Sequence, residues 1–137
     1  MGFFVTLAVV VGGALYFLDE RSGGIDRSTP EIVTDQFLDA ALVLKDPARV
    51  SLYVCDDWSA AQAMQEVDAP TDPRVSSFWG DPTVQAVGQR ATVTVRVVYR
   101  VYVNSRLQQQ VQLWTLDLVD DGGWRVCGLE KESSLDP

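Results

Sequence analysis

The spacing at which apolar residues recur changes along the chain, and each change marks an element. Residues 1–18, "MGFFVTLAVVVGGALYFL", carry no charge. As a helix, Gly2 to Leu18 would reach about 25 Å at roughly 1.5 Å per residue, the short limit for crossing a bilayer. Phe3, Phe4, Tyr16 and Phe17 bracket the run as interface aromatics do, and Gly12-Gly13 suit close helix packing. The pattern predicts a transmembrane helix over 1–18. A cleaved signal peptide competes, because Gly12 and Ala14 offer small residues for cleavage; against it, the run has no basic n-region and Tyr16, Phe17 and Leu18 continue it.

Residues 19–28 are rich in Gly, Ser and charge, without apolar periodicity, and read as a tether. Thr29-Pro30 then starts a helix, with Thr29 as N-cap and Glu31 in the first turn, and Val33, Phe37, Ala41 and Leu44 recur at helical spacing. Asp46-Pro47 restarts a shorter helix through "ARVSLYV", and "WSAAQAMQEV" predicts a third. The prolines of "DAPTDPR" end the helical half.

Beyond it the period falls to two. In "RATVTVRVVYRVYV" the odd positions from Ala91 to Val103 are apolar, with Thr92, Thr94, Arg96 and Arg100 between them. Asn104-Ser105 turns the chain into "RLQQQVQLWTLDLV", Asp121-Gly122-Gly123 turns it into "WRVCGLE", and Gly88-Gln89 joins "PTVQAVG" to the long strand. Leu113, Trp114, Leu116 and Leu118 cannot all face one side, which predicts a bulge or bend. Gln108, Gln110 and Gln112 are expected on an exposed face. The expected architecture is α+β: an N-terminal transmembrane helix, then two or three helices packed on a curved four-stranded antiparallel sheet.

At this point the sequence resembles nuclear transport factor 2-like, or cystatin-like, cone domains over residues 29–132, with 133–137 as a tail. It looks most like the membrane-anchored actinobacterial proteins described as Mce-associated. The residues that carry the resemblance are the apolar N-terminal run, the short tether, "TPEIVTDQFLDAALVLKDPARVSLYVCDDW" and the closing "GGWRVCGLE". The resemblance implies a curved sheet wrapped around the first long helix.

Composition narrows the chemistry. Nineteen acids against eleven bases give a net charge of -8 over 137 residues, which repels phosphate backbones and argues against nucleic acid as a partner. The chain has no histidine, so the commonest general base and metal ligand is missing. Two cysteines alone make a poor metal site, and no glycine pair has the context of a phosphate-binding loop. Neither metal nor cofactor is expected.

Cys55 and Cys127 remain. A bond between them would staple the helical layer to the sheet, closing a loop worth about 4 kcal/mol in the chain-entropy model, and would persist only in an oxidising compartment. Two separate buried thiols are the alternative. A redox pair is disfavoured, because there is no C-x-x-C and Asp56 and Asp57 oppose a thiolate. Among the acids, Glu31, Asp35 and Asp39 share one helix face, which reads as solvated. Asp117 lies within an apolar strand, where burial would raise its proton affinity, although alternation toward solvent competes. Trp58, Phe78, Trp79, Tyr99 and Trp114, with Asp117, are the residues to line a cone cavity if one holds an apolar ligand such as a lipid; such aromatics are more often core.

The sequence thus predicts a non-catalytic, membrane-anchored interaction module on the extracytoplasmic side, acting as accessory subunit or assembly factor of a larger cell-envelope complex. An apolar-ligand binding cone and a component of conjugation or secretion machinery are the alternatives. A small enzyme is permitted by the fold that the resemblance implies and barely supported by the residues.

Overall fold

The computed structural model describes residues 25–134, so the apolar run expected to cross the membrane lies outside the described residues, as does most of the expected tether. Among the described residues no helix is long and apolar enough to cross a membrane. Helix α1 (Pro30–Leu38) starts where the sequence sets it: the Thr29 hydroxyl accepts from the Ile32 amide at 3.2 Å, and Pro30 fills the first turn, where its missing N–H is no loss. Val33, Phe37 and Leu38 are completely buried.

The helix continues as a π-helical turn, Asp39–Leu44, ended by Lys45 in the left-handed region at φ 52°. The wider turn changes the phase. Ala40, Ala41 and Leu42 face the core, whereas Leu44, expected on the buried stripe, is 49% exposed. Helix α2 is a single turn, Pro47–Val50, capped by Asp46, and the rest of "ARVSLYV" is not helical. Helix α3 (Ala60–Val67) opens on Ser59, whose hydroxyl accepts from the Gln62 amide, and buries Ala63 and Val67.

The sheet has five antiparallel strands rather than four: β1 (Ser76–Trp79), β2 (Thr83–Val87), β3 (Arg90–Val103), β4 (Arg106–Asp120) and β5 (Trp124–Ser134). β1 and β2 both pair with β3, β1 along Val97–Arg100 and β2 along Arg90–Thr94. They form one edge interrupted by Gly80-Asp81-Pro82, where proline cannot continue a ladder. Alternation is clean on β3: Ala91, Val93, Val95, Val97 and Tyr99 are buried and face the helices. Opposite them lie Leu118, Leu116, Trp114, Gln112 and Gln110 on β4. Trp114 sits at the centre with no exposed surface, its indole N–H donating to Gln112 Oε1 at 2.8 Å and the Lys131 ammonium 5.4 Å from its ring centroid.

The expected irregularity exists at another place and for another reason. β3 and β4 stay in register from Arg90↔Val119 to Val103↔Arg106, so Leu113 simply points outward and is 41% exposed. The bulge lies between β4 and β5: Leu118 faces Val126 and Asp117 faces Gly128, leaving Cys127 as the extra residue. The chain before α1 is not a loose tether to its end, because the Arg27 carbonyl accepts from the Trp124 amide at 2.8 Å. Gly123, at φ 124°, permits this approach: a Cβ there would stand 3.1 Å from Arg27 Cβ.

Candidate functional site

The cysteines are joined. Val54 forms a parallel bridge with Val126, fixed by the Cys55 amide on the Val126 carbonyl (2.9 Å) and the Val126 amide on the Tyr53 carbonyl (2.8 Å). Residues 53–55 thereby add a short strand to the outer edge of β5. Val54 and Val126 point into the core, and the next residues, Cys55 and Cys127, point the other way and form a disulfide with Cα atoms 5.0 Å apart. Cys55 therefore lies past the end of α2, in extended chain, and the bulge at Cys127 turns its sulfur toward this strand. The disulfide floors a cleft of about 570 Å³ lined also by Asp56, Asp57, Asp121, Arg90 and Arg125.

The residues expected to line an apolar cavity are dispersed. Trp58 is in the core against Phe37, ring centroids 5.9 Å apart, with its indole N–H on Glu66 Oε2 at 3.1 Å. Trp114 is core. Trp79 lies at the sheet edge and donates to Asp35 Oδ1 at 2.8 Å, so one of the three helix-face acids has a specific partner instead of solvent alone. Phe78 points to the outer face. Asp117 is exposed there too, beside Gly128, and not buried within the strand.

Tyr99 differs from the others. It is 7% exposed, its hydroxyl has no hydrogen-bond partner among the described residues, and it lines a cleft of about 300 Å³ with Pro70, Val75, Val101, Gln108 and Gln110. Burial, with a smaller contribution from the Asp68 carboxylate, pushes its pKa up to about 12. Gln108, Gln110 and Gln112 prove to share the inner face with Trp114, and the first two are exposed because the helices no longer cover them.

The largest unexpected feature is the outer face of the sheet. One row across it reads Phe78, Val98, Val111; the next reads Arg96, Leu113, Glu132. Phe78 is 48% exposed, with the Arg100 guanidinium 5.1 Å from its ring centroid and Arg100 Nε donating to Gln109 at 2.9 Å. Among the described residues the β3–β4 hairpin has no paired neighbour beyond Arg100 and Val111: β1 ends at Arg100, and the described part of β5 pairs as far as Val111. Residues 101–110 project as a two-stranded arm carrying the exposed cross-strand pair Tyr102 (68%) and Leu107 (49%). An unsupported two-stranded ribbon is marginal in water. The signal was present in the adjacent apolar pairs of "VRVVY" and "VQLW", where one apolar residue of each must face away from the core.

No protein-family model matches the sequence, and no curated protein matches it. Solved structures do. The S. rosetta CaMKII hub matches at TM-score 0.62 and 18% identity, over 78% of this chain and 98% of that one. An NTF2-like protein with a cystatin-like fold from Novosphingobium aromaticivorans matches at TM-score 0.64 and 17% identity, over 78% and 80%. An IcmL-like type IV secretion system protein from Legionella pneumophila matches at TM-score 0.58 and 14% identity, over 84% and 98%. The fold is the NTF2-like, cystatin-like cone, as the sequence resemblance implied; identities this low speak for fold alone.

Proposed function

We propose that this chain is a non-catalytic interaction module, held to a membrane by residues 1–18 with its cone domain on the extracytoplasmic side, serving a larger cell-envelope complex as accessory subunit or assembly factor. The observation that carries the reading is the projecting β3–β4 arm, whose Tyr102 and Leu107 expose apolar surface continuous with the outer sheet face. Aromatic and aliphatic anchors flanked by arginine are the composition of an interaction surface. Arg27 holds the chain at the β4–β5 turn, opposite the arm's tip at Asn104-Ser105. A membrane helix preceding it would therefore leave the arm directed away from the bilayer, about 45 Å along β4 at roughly 3.3 Å per residue. The Cys55–Cys127 disulfide supports an oxidising compartment.

Membership among Mce-associated actinobacterial proteins is the finer form of this proposal. A place in conjugation or secretion machinery is its variant, to which the likeness to an IcmL-like type IV secretion system protein adds weight. A second reading, a small apolar ligand with a hydrogen-bond acceptor held at the cone mouth, rests on the unpartnered Tyr99 hydroxyl beside Val75 and Val101. Native purification of the full chain from its own membranes, followed by mass spectrometry, tests the first reading: a stoichiometric set of co-purifying proteins supports it, and a chain recovered alone contradicts it.

A further inference from the structure

A polar cleft of about 200 Å³ lies between the outward face of α1, the chain through and after α2, and the sheet edge at Trp79. It shares no lining residue with the cleft at Tyr99. Asp35 and Asp39 stand one helical turn apart on one wall, a spacing that sets Cβ atoms about 5–6 Å from each other. Trp79 closes a second side, held by the bond from its indole N–H to Asp35 Oδ1. Arg49 and Tyr53 form the third. Asp39 and Arg49 thus carry opposite charges in one small space, yet neither forms an ion pair among the described residues. Tyr53 is only 3% exposed, and its hydroxyl makes no hydrogen bond among the described residues. Burial raises its pKa, the Arg49 and Arg27 charges oppose that rise and Asp39 adds to it, so the hydroxyl end lies close to the charges of the cleft.

Charges of both signs in one cleft select the ligand. A simple anion drawn to Arg49 meets Asp35 and Asp39, and a simple cation drawn to the two carboxylates meets Arg49. We propose that this cleft binds a small zwitterion, its ammonium against Asp35 and Asp39 and its acid group against Arg49 and the Tyr53 hydroxyl. Each half then faces the opposite charge. The Asp39 carboxylate accepts no hydrogen bond among the described residues and Asp35 keeps Oδ2, so acceptors stand ready for the three N–H groups of an ammonium. The planar fork of Arg49 suits a carboxylate or a phosphate, and Tyr53 gains the partner that its buried hydroxyl lacks. The volume is below the roughly 300 Å³ at which pockets for drug-sized ligands begin. It is on the order of seven water molecules at about 30 Å³ each, which is room for a free α-amino acid or for the ethanolamine phosphate headgroup of a lipid.

The test titrates the full chain in a non-ionic detergent and follows the indole N–H signals of Trp79 and Trp114 by proton–nitrogen NMR. L-alanine stands for the free amino acid and glycerophosphoethanolamine for the lipid headgroup. At least one is expected to bind with a Kd on the order of 1 mM or tighter, shifting the Trp79 signal and leaving that of the buried Trp114 in place. Whichever of the two binds identifies the source. Methylammonium and acetate, the two halves given separately, are each expected to bind at least about tenfold more weakly. Arg49→Gln and Asp39→Asn lie at exposed positions, and thermal unfolding checks that both variants fold. Each is expected to raise the Kd of the zwitterion about tenfold or more, and Tyr53→Phe about fivefold. The inference is overturned if neither zwitterion moves the Trp79 signal, if either half alone binds as tightly as the zwitterion, or if the affinity is indifferent to Arg49→Gln and Asp39→Asn.

Discussion

The Arg27 carbonyl accepts a hydrogen bond from the Trp124 amide at 2.8 Å, and the Arg27 guanidinium donates to the Leu52 carbonyl at 2.8 Å. One residue thus ties the segment before α1 both to the start of β5 and to the chain after α2. Arg27→Ala keeps the main-chain bond and loses the side-chain bond, with an expected cost of about 1 kcal/mol for a partly exposed charged donor. Denaturant unfolding of the two chains checks it; a loss within experimental error would mean that this side chain does not fasten the domain.

The disulfide should matter more. Cys55→Ser/Cys127→Ser, or reduction, is expected to destabilise by about 2–5 kcal/mol, since the bond holds residues 53–55 to the edge of β5 across a separation of 72 residues. Thermal unfolding with and without reductant measures this. Thiol labelling of intact cells gives the compartment: both cysteines should resist labelling until reduced, and ready labelling without reductant would contradict an extracytoplasmic domain.

Two residues of β4, three positions apart and on opposite faces, separate core from surface. Trp114→Ala is expected to cost about 3–5 kcal/mol, because a completely buried indole leaves a large cavity, and Asp117→Asn about 0.5 kcal/mol or less. Chemical denaturation of both variants decides. A large loss from Asp117→Asn would reveal a role that its exposed position does not suggest.

Tyr99 sets an alkaline limit. Its folded pKa of about 12 exceeds the ordinary 10.0, so the folded chain keeps a proton that the unfolded chain loses. Stability from this group is complete below about pH 10 and is lost as pH rises toward 12, at about 1.4 kcal/mol per pH unit at most. Tyr99→Phe removes that slope and an unpartnered buried hydroxyl together, so the variant is expected to be at least as stable as wild type near neutrality. Unfolding measured from pH 8 to 11 tests both. Destabilisation by Tyr99→Phe at pH 7 would show that the hydroxyl has a partner in solution, as the ligand reading requires.

Alternation with a period of two located β3, and Thr29-Pro30 and Asp46-Pro47 located the first two helix starts. What escaped was whatever depends on contacts between distant segments. Leu44 left the buried stripe because a π turn rotated it away, and nothing in "DAALVL" announces that turn. β1 was missed because "SSFW" is too short to show a period. Leu113 predicts a bulge in sequence because an apolar residue on the wrong face and a slipped strand read alike; only the pairing with Arg96 distinguishes them. The bulge at Cys127 follows from the docking of residues 53–55 on β5, a relationship across half the chain. Of the candidate site, the cysteine pair was legible, whereas the aromatics were legible as a class and not by position: Trp58 and Trp114 went to the core, Phe78 to the outer face, and Tyr99 to the cone mouth.

The central claim is that the projecting arm recruits a partner, and the most direct measurement compares the full-length chain with Tyr102→Lys/Leu107→Lys in native purification from membranes. Both side chains are well exposed, so the variant should fold with a stability close to wild type. The account predicts a stoichiometric set of co-purifying envelope proteins with the wild type and its reduction by about tenfold or more with the variant. An equal recovery of the same proteins by both chains would contradict it.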